Sequence, residues 1–251
     1  MLSKNKIKLI SSLSQKKYRD ELGLFIAEGT KLVLDLATSF QCSLLVATAE
    51  WIGEHGKIRA EEVIEVEAED LKKISNHKTP QGVLAVFFKP DYHWIVEELN
   101  QRLSLALDEV QDPGNLGTII RIADWFGIKD IFCSQHSVDA FNPKTVQATM
   151  GALARVRVHT VQLGEFLQSC RGELPIYGTF MGGETIYSKT LTENGIIVMG
   201  NEGNGISAEI EKLVTGRLLI PNFPVGQTTS ESLNVAVATA LVCSEFRRRI
   251  L

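Results

Sequence analysis

The sequence predicts an α/β protein, with a small N-terminal α/β domain followed by a larger domain built on a parallel β-sheet. Two observations predict this fold class. From residue 103 onward, short apolar runs alternate with helical stretches, a pattern typical of parallel strands joined by helices. The preceding residues contain a separate, shorter set of strands and helices, which a proline-containing break follows. We therefore expect domains over residues 1–90 and 103–251, joined by a linker over 91–102.

The N-terminal elements follow from apolar patterning and turn residues. A helix is predicted over residues 4–22, with Gly23 as its stop. A buried strand over Leu24–Ala27 ends at Glu28-Gly29, and a helix begins at Thr30. Further strands and helices alternate, with strands at 44–47, 63–66 and 83–88 and helices near 50–55 and 69–75.

The C-terminal elements alternate more regularly than the N-terminal ones. Strands are predicted at 103–107, 130–133, 155–159, 176–180, 195–199 and 217–220. The clearest helices between them cover 116–126, 143–150 and 209–214. Asn142 caps the second of these helices, and Pro143 fits its first turn.

Composition indicates a soluble globular protein. A net charge of −4 argues against a protein that coats nucleic acid through bulk charge alone. No apolar run reaches the length of a membrane span, and the lysine-rich N-terminus lacks the pattern of a secretory signal. We therefore expect a cytoplasmic protein without membrane contact. The four cysteines lack zinc or disulfide spacing, which predicts reduced core thiols rather than a zinc site or a disulfide framework.

Basic residues are concentrated near the N-terminus, whereas residues 50–70 are strongly acidic. This asymmetry predicts a basic face that contacts phosphate groups. A solvated helix face explains the same charges and stays open as the alternative. The residues predicted to form this basic face are Lys4, Lys6, Lys8, Lys16, Lys17 and Arg19, which are the candidates for binding a polyanion.

Three loops follow strand-like runs in the second half of the chain, at residues 179–184, 200–205 and 221–232. Ligands bind outside the carboxyl ends of the strands in open parallel sheets, so these loops are candidates for a binding site. Glu202 is the ionisable residue of the glycine-rich middle loop. The helix after Ser232-Leu233-Asn234 is apolar on nearly every face, which predicts burial all round.

Simpler roles exist for the polar residues that open this helix. Ser232 can act as its N-cap, and Asn234 can bond to the backbone of its first turn. If Ser232 and Asn234 serve only to cap the helix, their presence does not indicate a bound ligand.

A polar cluster over residues 110–121 precedes another predicted helix. Asn115 can cap this helix after an Asp-Pro-Gly turn. Helical side chains lean toward the N-terminus, so Arg121 is expected to cross Gly117 toward Asn115. An ion pair between Arg121 and Asp124 on the surface is the alternative.

A dinucleotide fingerprint is also present, since Gly203-x-Gly205-x-x-Ala208 follows a predicted strand. The acidic residue expected about twenty positions further on, which would bind the ribose, is missing. A nucleotide-dependent oxidoreductase is therefore the weaker alternative.

The motifs resemble those of the SpoU/TrmH family of SPOUT-class RNA ribose 2'-O-methyltransferases. The similar segments are Asn115-x-Gly117-x-x-x-Arg121, Gly200-Asn-Glu202-Gly-x-Gly205, and Ile220-Pro221 followed by Ser232-Leu-Asn234-Val. The N-terminal half resembles the family's ribosomal-protein-like RNA-binding domain in Lys4-Asn5-x-Ile7-Lys8, Phe25-Ile-Ala-Glu28-Gly29 and Thr79-Pro-Gln81-Gly82-Val83. The loop before Ser232 is longer than expected, so contacts of residues 222–231 are not carried over.

The resemblance implies a C-terminal domain with a trefoil knot, an exception to the rule against knots. It also implies a homodimer that binds S-adenosylmethionine and methylates a ribose of tRNA or rRNA, with no metal. The residues on its cofactor-binding positions are Thr179, Gly200, Ile220 and Leu233. The residues on its catalytic positions are Arg121, Asn115, Glu202, Ser232 and Asn234. An RNA-binding protein of the same fold without catalysis is the alternative.

The residues on the catalytic positions differ in the chemistry that they can perform. Arginine is hard to deprotonate, so we expect Arg121 to clamp a phosphate and polarise the 2'-oxygen, while Ser232, Asn234 and Asn115 fix geometry. Glu202 either orients Arg121 or accepts the proton.

Overall fold

The computed structural model describes residues 2–56, 58–224 and 232–248. The chain divides into two compact units. Unit 1 consists of Met1–Asp91 together with Asp139–Arg155, and unit 2 consists of Tyr92–Val138 and Val156–Leu251.

The secondary structure of the described residues alternates between strands and helices in both units. The helices are α1 (Lys4–Ser12), α2 (Lys16–Leu22), α3 (Thr30–Leu36), α4 (Ala49–His55), α5 (Ala68–Lys72), α6 (Val96–Leu99), α7 (Pro113–Trp125), α8 (Pro143–Ala148), α9 (Leu163–Cys170), α10 (Ala208–Glu211) and α11 (Val235–Arg248). The strands are β1 (Leu24–Glu28), β2 (Cys42–Ala47), β3 (Ala60–Glu65), β4 (Val83–Phe88), β5 (Leu103–Leu107), β6 (Asp130–Ser134), β7 (Arg157–Val161), β8 (Ile176–Thr185), β9 (Gly195–Met199) and β10 (Gly216–Leu219).

Unit 1 contains a four-stranded sheet in the order β1-β4-β2-β3. Strand β4 pairs antiparallel with both β1 and β2, whereas β2 and β3 are parallel. Ile10 of α1 and Leu13 pack with Ile26 and Val86 of the sheet in one buried cluster. The strands are held together by this apolar core, which contains residues of the buried strand predicted over Leu24–Ala27.

The single helix predicted over residues 4–22 is divided into α1 and α2. Leu13 is fully buried at the break, and Arg19 is also buried. The Arg19 guanidinium donates to the carbonyl oxygens of Leu13 and Ser14, at 2.8 and 2.9 Å. These carbonyls lie at the end of α1, where helix ends leave acceptors without intrahelical partners. Arg19 therefore stabilises the interruption, a role that helical periodicity does not reveal.

Residues 139–155 group with unit 1, although the sequence predicts a continuous domain over 103–251. The Arg19 Nη2 lies 2.7 Å from an Asp139 carboxylate oxygen, and both side chains are nearly inaccessible to solvent. The Phe141 ring packs against Phe25 of β1 at a centroid distance of 4.9 Å. A buried ion pair and an aromatic contact thus attach this segment to the N-terminal sheet.

Unit 2 contains a six-stranded sheet in the order β10-β8-β9-β5-β6-β7, with every neighbouring pair parallel. The predicted parallel sheet is confirmed. Strand β8 extends to Thr185 rather than Phe180, because its pairing with β10 resumes after a register shift between Arg217 and Leu218. The residues looped out by this shift lie at the carboxyl edge of the sheet.

The last helix, α11, is not buried all round within one chain. Val242, Cys243 and Phe246 are buried, but Val237 and Leu241 are 50% and 39% exposed. Helix α11 packs against α7, which covers one side of it. An apolar stripe therefore remains at the surface of unit 2.

The four cysteines, Cys42, Cys133, Cys170 and Cys243, are all buried in the core. Burial raises the pKa of the Cys243 thiol to about 12 and that of Cys42 to about 11, so both are protonated at neutral pH. Among the described residues, no helix is long and apolar enough to cross a membrane.

Candidate functional site

A cavity of about 450 Å³ lies at the carboxyl edge of the unit 2 sheet. It is bounded by residues 179–181 within β8, by the segments that follow β9 and β10 and by the start of α11. Six predicted site residues line this cavity, namely Thr179, Gly200, Glu202, Ile220, Ser232 and Leu233. The edge rule for parallel sheets therefore located this cavity from the sequence.

Three predicted catalytic residues are joined by hydrogen bonds. The Asn115 Nδ2 donates to Glu202 Oε1 at 2.9 Å, and the Asn234 Nδ2 donates to Asn115 Oδ1 at 2.9 Å. These residues come from α7, from the loop after β9 and from the start of α11. We call this chain of three side chains the polar relay.

The orientation of both amides in the polar relay follows from its two ends. Glu202 offers a carboxylate oxygen, so Asn115 must present its NH₂ group there and its oxygen to Asn234. At the other end, Asn234 Oδ1 accepts from the backbone N–H groups of Ala236 and Val237, at 3.0 and 3.2 Å. A carboxylate at one end and helix N–H donors at the other fix one direction of hydrogen bonding.

Helix capping differs from the prediction at both helices. Asp112, rather than Asn115, caps α7, because its Oδ1 accepts from the Asn115 backbone N–H at 2.7 Å. Asn234 bonds to the backbone of the first turn of α11, as predicted, and thereby takes the cap position that was expected for Ser232. Each cap side chain fills the ordinary role of a polar residue before a helix. Because Asp112 takes the cap position, the Asn115 side chain remains available for the polar relay.

The glycine-rich loop after β9 is closed on itself by Asn201. The Asn201 backbone exchanges two hydrogen bonds with the backbone of Gly205, at 2.9 and 3.0 Å. Its Oδ1 accepts from the N–H groups of Gly203 and Asn204, and its Nδ2 donates to the Glu109 carbonyl oxygen at 2.8 Å. Asn201 therefore holds the loop that carries Glu202.

This closure argues against the dinucleotide fingerprint. In that motif, free N–H groups at the start of a helix bind the pyrophosphate. Here the N–H groups of Gly203, Asn204 and Gly205 are bonded within the loop, and the Ser207 N–H donates to Asp108 Oδ2 at 2.7 Å. The donors that a pyrophosphate needs are therefore already used.

The absence of a side chain at Gly200 is required by the loop itself. A Cβ there would lie 2.2 and 2.3 Å from backbone atoms of Gly205 and Ile206. These distances are too short for any side chain. Gly200 lines the cavity, but a substitution there would disrupt the loop before it tested ligand binding.

Sequence reasoning missed Asp108 and Glu109 at the end of β5. Asp108 is 4% exposed and anchors the loop through Ser207. Glu109 has a positive φ of 58°, an uncommon backbone conformation that Ser134 Oγ and Asn201 hold from both sides. The sequence did contain a signal for these residues, because Asp108 directly follows the apolar run of β5, whose carboxyl end lies at the same edge of the sheet.

Arg121 lies on the exposed side of α7. The described residues offer it neither a hydrogen bond nor an ion pair, and it does not line the cavity. Its predicted approach to Asn115 is thus not seen as a hydrogen bond, and Glu202 bonds to Asn115 rather than to Arg121. Residues 225–231, part of the long loop before Ser232, lie outside the described residues.

The predicted basic face of unit 1 is only partly available. Arg19 is 1% exposed and paired with Asp139, so it cannot reach a phosphate group. Lys6 pairs with Glu62, and Lys16 with Asp20. The remaining residues of the predicted set, Lys4, Lys8 and Lys17, are exposed.

The Asp20 carboxylate is held by two lysines. Burial raises its pKa, but hydrogen bonds from Lys16 and Lys89 outweigh this effect, so the pKa lies below its usual value. Lys16 is thereby engaged at neutral pH, although an exposed pair of this kind is weak. Within the described residues, no cluster of His, Cys, Asp and Glu side chains is arranged to hold a metal ion.

Two family models match the chain. The SpoU rRNA Methylase family matches residues 102–244, and an MRM3-like substrate binding domain matches residues 4–85. The first of these matches covers more than half of the chain and includes every residue of the polar relay.

Known proteins are similar over nearly the full length. The chain is 30% identical to the 23S rRNA (guanosine(2553)-2'-O)-methyltransferase RlmP of Bacillus subtilis, with 89% of this chain and 79% of that protein covered. A solved structure of a proposed TrmH-family RNA methyltransferase from Porphyromonas gingivalis is 44% identical, with a TM-score of 0.91 and 99% of both chains covered. The AdoMet-bound rRNA methyltransferase of Sinorhizobium meliloti is 29% identical, with a TM-score of 0.87 and 100% and 97% covered.

Proposed function

Because the chain belongs to the SpoU rRNA Methylase family, we propose that it transfers a methyl group from S-adenosylmethionine to a ribose 2'-hydroxyl of tRNA or rRNA. The single observation that carries this proposal is the position of the polar relay next to the cavity. Glu202 belongs to both, since it lines the cavity and accepts the Asn115 hydrogen bond.

The cavity residues fit the cofactor. A volume of about 450 Å³ falls within the range of about 300–1,000 Å³ that is usual for small-molecule sites. Thr179, Gly200, Ile220 and Leu233 would hold S-adenosylmethionine, which supplies a methyl group on a positively charged sulfur. The lining combines apolar side chains with backbone polar groups, as a nucleoside with a charged tail requires.

The polar relay would prepare the attacking hydroxyl. Glu202 Oε1 is occupied by Asn115, whereas the other carboxylate oxygen has no partner among the described residues and can accept the 2'-hydroxyl proton. Asn115 and Asn234 would keep this carboxylate in place, and Ser232 at the cavity would help to orient the ribose. Arg121 would bind the neighbouring phosphate, because its guanidinium is unpaired among the described residues.

Cofactor binding can be tested at Gly203, which lines the cavity and has ordinary backbone angles. A Cβ there would meet only Asn201 Oδ1, at 3.6 Å, so Gly203→Leu should fold and fill the cavity. Calorimetry should show S-adenosylmethionine affinity reduced by about tenfold or more. Gly53→Leu is the matched control, since a Cβ at Gly53 has no neighbour within 4 Å. Wild-type protein that binds neither cofactor nor its demethylated product would refute the proposed function.

The RNA target can be found by comparing 2'-O-methylation sites in RNA from cells with and without the gene. The loss of one site, restored by the wild-type gene but not by the Glu202→Gln variant, would identify the nucleotide. An unchanged methylation map would instead favour the RNA-binding protein without catalysis.

We also propose a homodimer, because α11 presents an apolar stripe to solvent. Leu233, Val237 and Leu241 are spaced by four residues and are 39–50% exposed, and Trp125 of α7 is 85% exposed. Light scattering should give a dimer for the wild type and a monomer for Leu241→Glu. A monomeric wild type at micromolar concentration would contradict the dimer.

We propose a cytoplasmic protein with a knotted C-terminal domain over residues 103–251, a linker over 91–102 and an RNA-binding domain over 1–90. The match of residues 4–85 to a substrate binding domain supports the last role. Of the predicted basic residues, Lys4, Lys8 and Lys17 remain candidates for RNA contact.

A further inference from the structure

A loop in unit 1 is anchored by a buried carboxylate. Glu28, at the end of β1, is 6% exposed. Its carboxylate accepts hydrogen bonds from the Ser75 hydroxyl and from both the backbone N–H and the side-chain NH₂ of Asn76, the latter two at 2.9 and 3.0 Å. A buried charge is costly unless it is hydrogen-bonded, so these bonds fix the start of the loop.

The other end of the loop is held by the residues that follow β1 and β2. Gly29 has a φ of +93°, and a Cβ there would lie 2.8 Å from Gln81 Oε1. The Gly82 carbonyl oxygen accepts from the Thr48 backbone N–H at 2.9 Å. The segment 77–79 therefore spans two anchored ends, which limits the entropy it loses when it binds a partner.

The anchored loop presents hydrogen-bond donors to solvent. His77, Lys78 and Thr79 are all exposed. Lys31 is also exposed and lies two residues after Gly29, at the end of the loop that Gln81 contacts. Neither Lys31 nor Lys78 is ion-paired with a described residue, in contrast to Lys6 and Lys16.

Several carboxylates close to the loop in the chain are already engaged. Glu28 accepts from Ser75 and Asn76, and Glu69 and Asp70 of α5 pair with Lys72 and Lys73. The acidic strand β3 lies at the opposite edge of the sheet from β1. Lys31 and Lys78, which have no such partner among the described residues, can therefore attract a polyanion.

We infer that Lys31 and the loop over residues 76–81 form the main phosphate-contacting surface of unit 1 toward the substrate RNA. This inference rests on the proposed function, since it names the surface that holds the RNA. Lysine and hydroxyl donors suit phosphate oxygens, which position a nucleic acid without reading its sequence.

Three double variants test this surface. Lys31→Ala/Lys78→Ala removes the two cations at the loop, and Lys4→Ala/Lys8→Ala removes two exposed cations of α1. Lys72→Ala/Lys73→Ala is the matched control, because both lysines are ion-paired on α5. The probe is an unmodified 23S rRNA transcript, with binding measured by filter retention across a range of salt concentrations. Thermal melting establishes that each variant is folded.

The loop variant should lose about tenfold in RNA affinity, with the slope of log K against log salt reduced by about two, while the control binds as the wild type. Equal losses in the loop and α1 variants, or a larger loss in the α1 variant, would overturn the inference. Cofactor calorimetry separates the two failures. A wild type that binds S-adenosylmethionine but no RNA at any salt would refute the RNA substrate, and the inference with it.

Discussion

The two ends of the unit 2 sheet use polar residues in opposite ways. At the amino end, Asp130 begins β6 and its side chain is completely buried. At the carboxyl end, the polar relay reaches the cavity through Glu202. The comparison shows where unit 2 obtains stability and where it keeps polar groups free for a ligand.

At the amino end, the charges neutralise each other. Arg157 donates to both oxygens of Asp130 at 2.8 Å, and His159 Nε2 lies 2.9 Å from Oδ1. An Arg102 nitrogen lies 3.1 Å from Oδ2. Burial raises the pKa of Asp130, but the bonds from His159 and Arg157 outweigh it, so the pKa lies below its usual value. This carboxylate has no capacity left for another partner.

At the carboxyl end, neutral amides take the place of the arginines. Asn115 donates to one oxygen of Glu202 and, being neutral, places no positive charge beside it. Arg121 on α7 forms neither a hydrogen bond nor an ion pair with the described residues. Groups that the fold does not neutralise are available for chemistry, whereas those that it does neutralise serve stability.

The largest expected effect is that of Arg121→Ala on catalysis. The single-turnover rate should fall by about 10³-fold, as when one group that stabilises a transition state is removed. Stability should change by less than about 0.5 kcal/mol, because the side chain is exposed. Lysine lacks the planar fork of arginine, so Arg121→Lys should be nearly as inactive.

Arg171→Ala is the matched control, since Arg171 is also exposed on unit 2. Single-turnover assays with saturating RNA and cofactor provide the measurement. A near-normal rate for Arg121→Ala would show that the catalytic assignment is wrong.

Asp130→Asn should have the largest effect on stability. Removing one partner of a buried ion pair leaves other charges uncompensated and costs about 3 kcal/mol. Chemical denaturation should show this loss, while cofactor affinity of the folded protein stays at the wild-type value. The exposed Glu173→Gln serves as the control. Equal loss of cofactor binding and stability would mean that the two ends of the sheet are not separate in function.

Asn234→Asp should reduce the rate without affecting the α11 cap. Aspartate caps a helix as well as asparagine does, but it cannot donate to Asn115 Oδ1. The polar relay would lose its fixed direction, and the rate should fall by about 10- to 100-fold, as misplaced groups commonly cause. Melting temperatures should be nearly equal for Asn234→Asp and wild type, and lower for Asn234→Ala. Full activity of Asn234→Asp would show that the polar relay has no catalytic role.

The smallest expected effect is a pH dependence of stability. The folded pKa of Asp130 lies below its unfolded value, so its contribution is present above the unfolded pKa of about 4 and is lost as pH falls through the folded pKa. Denaturation midpoints measured from pH 6 downward should fall more steeply for wild type than for Asp130→Asn. Parallel curves would mean that the Asp130 pairs do not contribute to acid stability.

The sequence alone determined the kinds of element and the edge at which the site lies. Apolar runs that alternate with helices predict parallel strands, and the predicted loop at 200–205 follows β9, whereas residues 179–184, predicted as a loop, belong to the extended strand β8. These features depend on periodicity within about ten residues, which a single sequence displays directly. The cavity residues Glu202 and Ser232 were found in this way.

Only the tertiary structure decided which polar residues meet. Asn115 bonds to residues 87 and 119 positions away in the chain, and Arg19 pairs with Asp139 after 120 positions. A lysine or arginine on a helix looks the same in the sequence whether it faces solvent or a buried carboxylate. Strand order and helix packing bring such distant partners together. Local sequence patterns predict neither the strand order nor the helix packing.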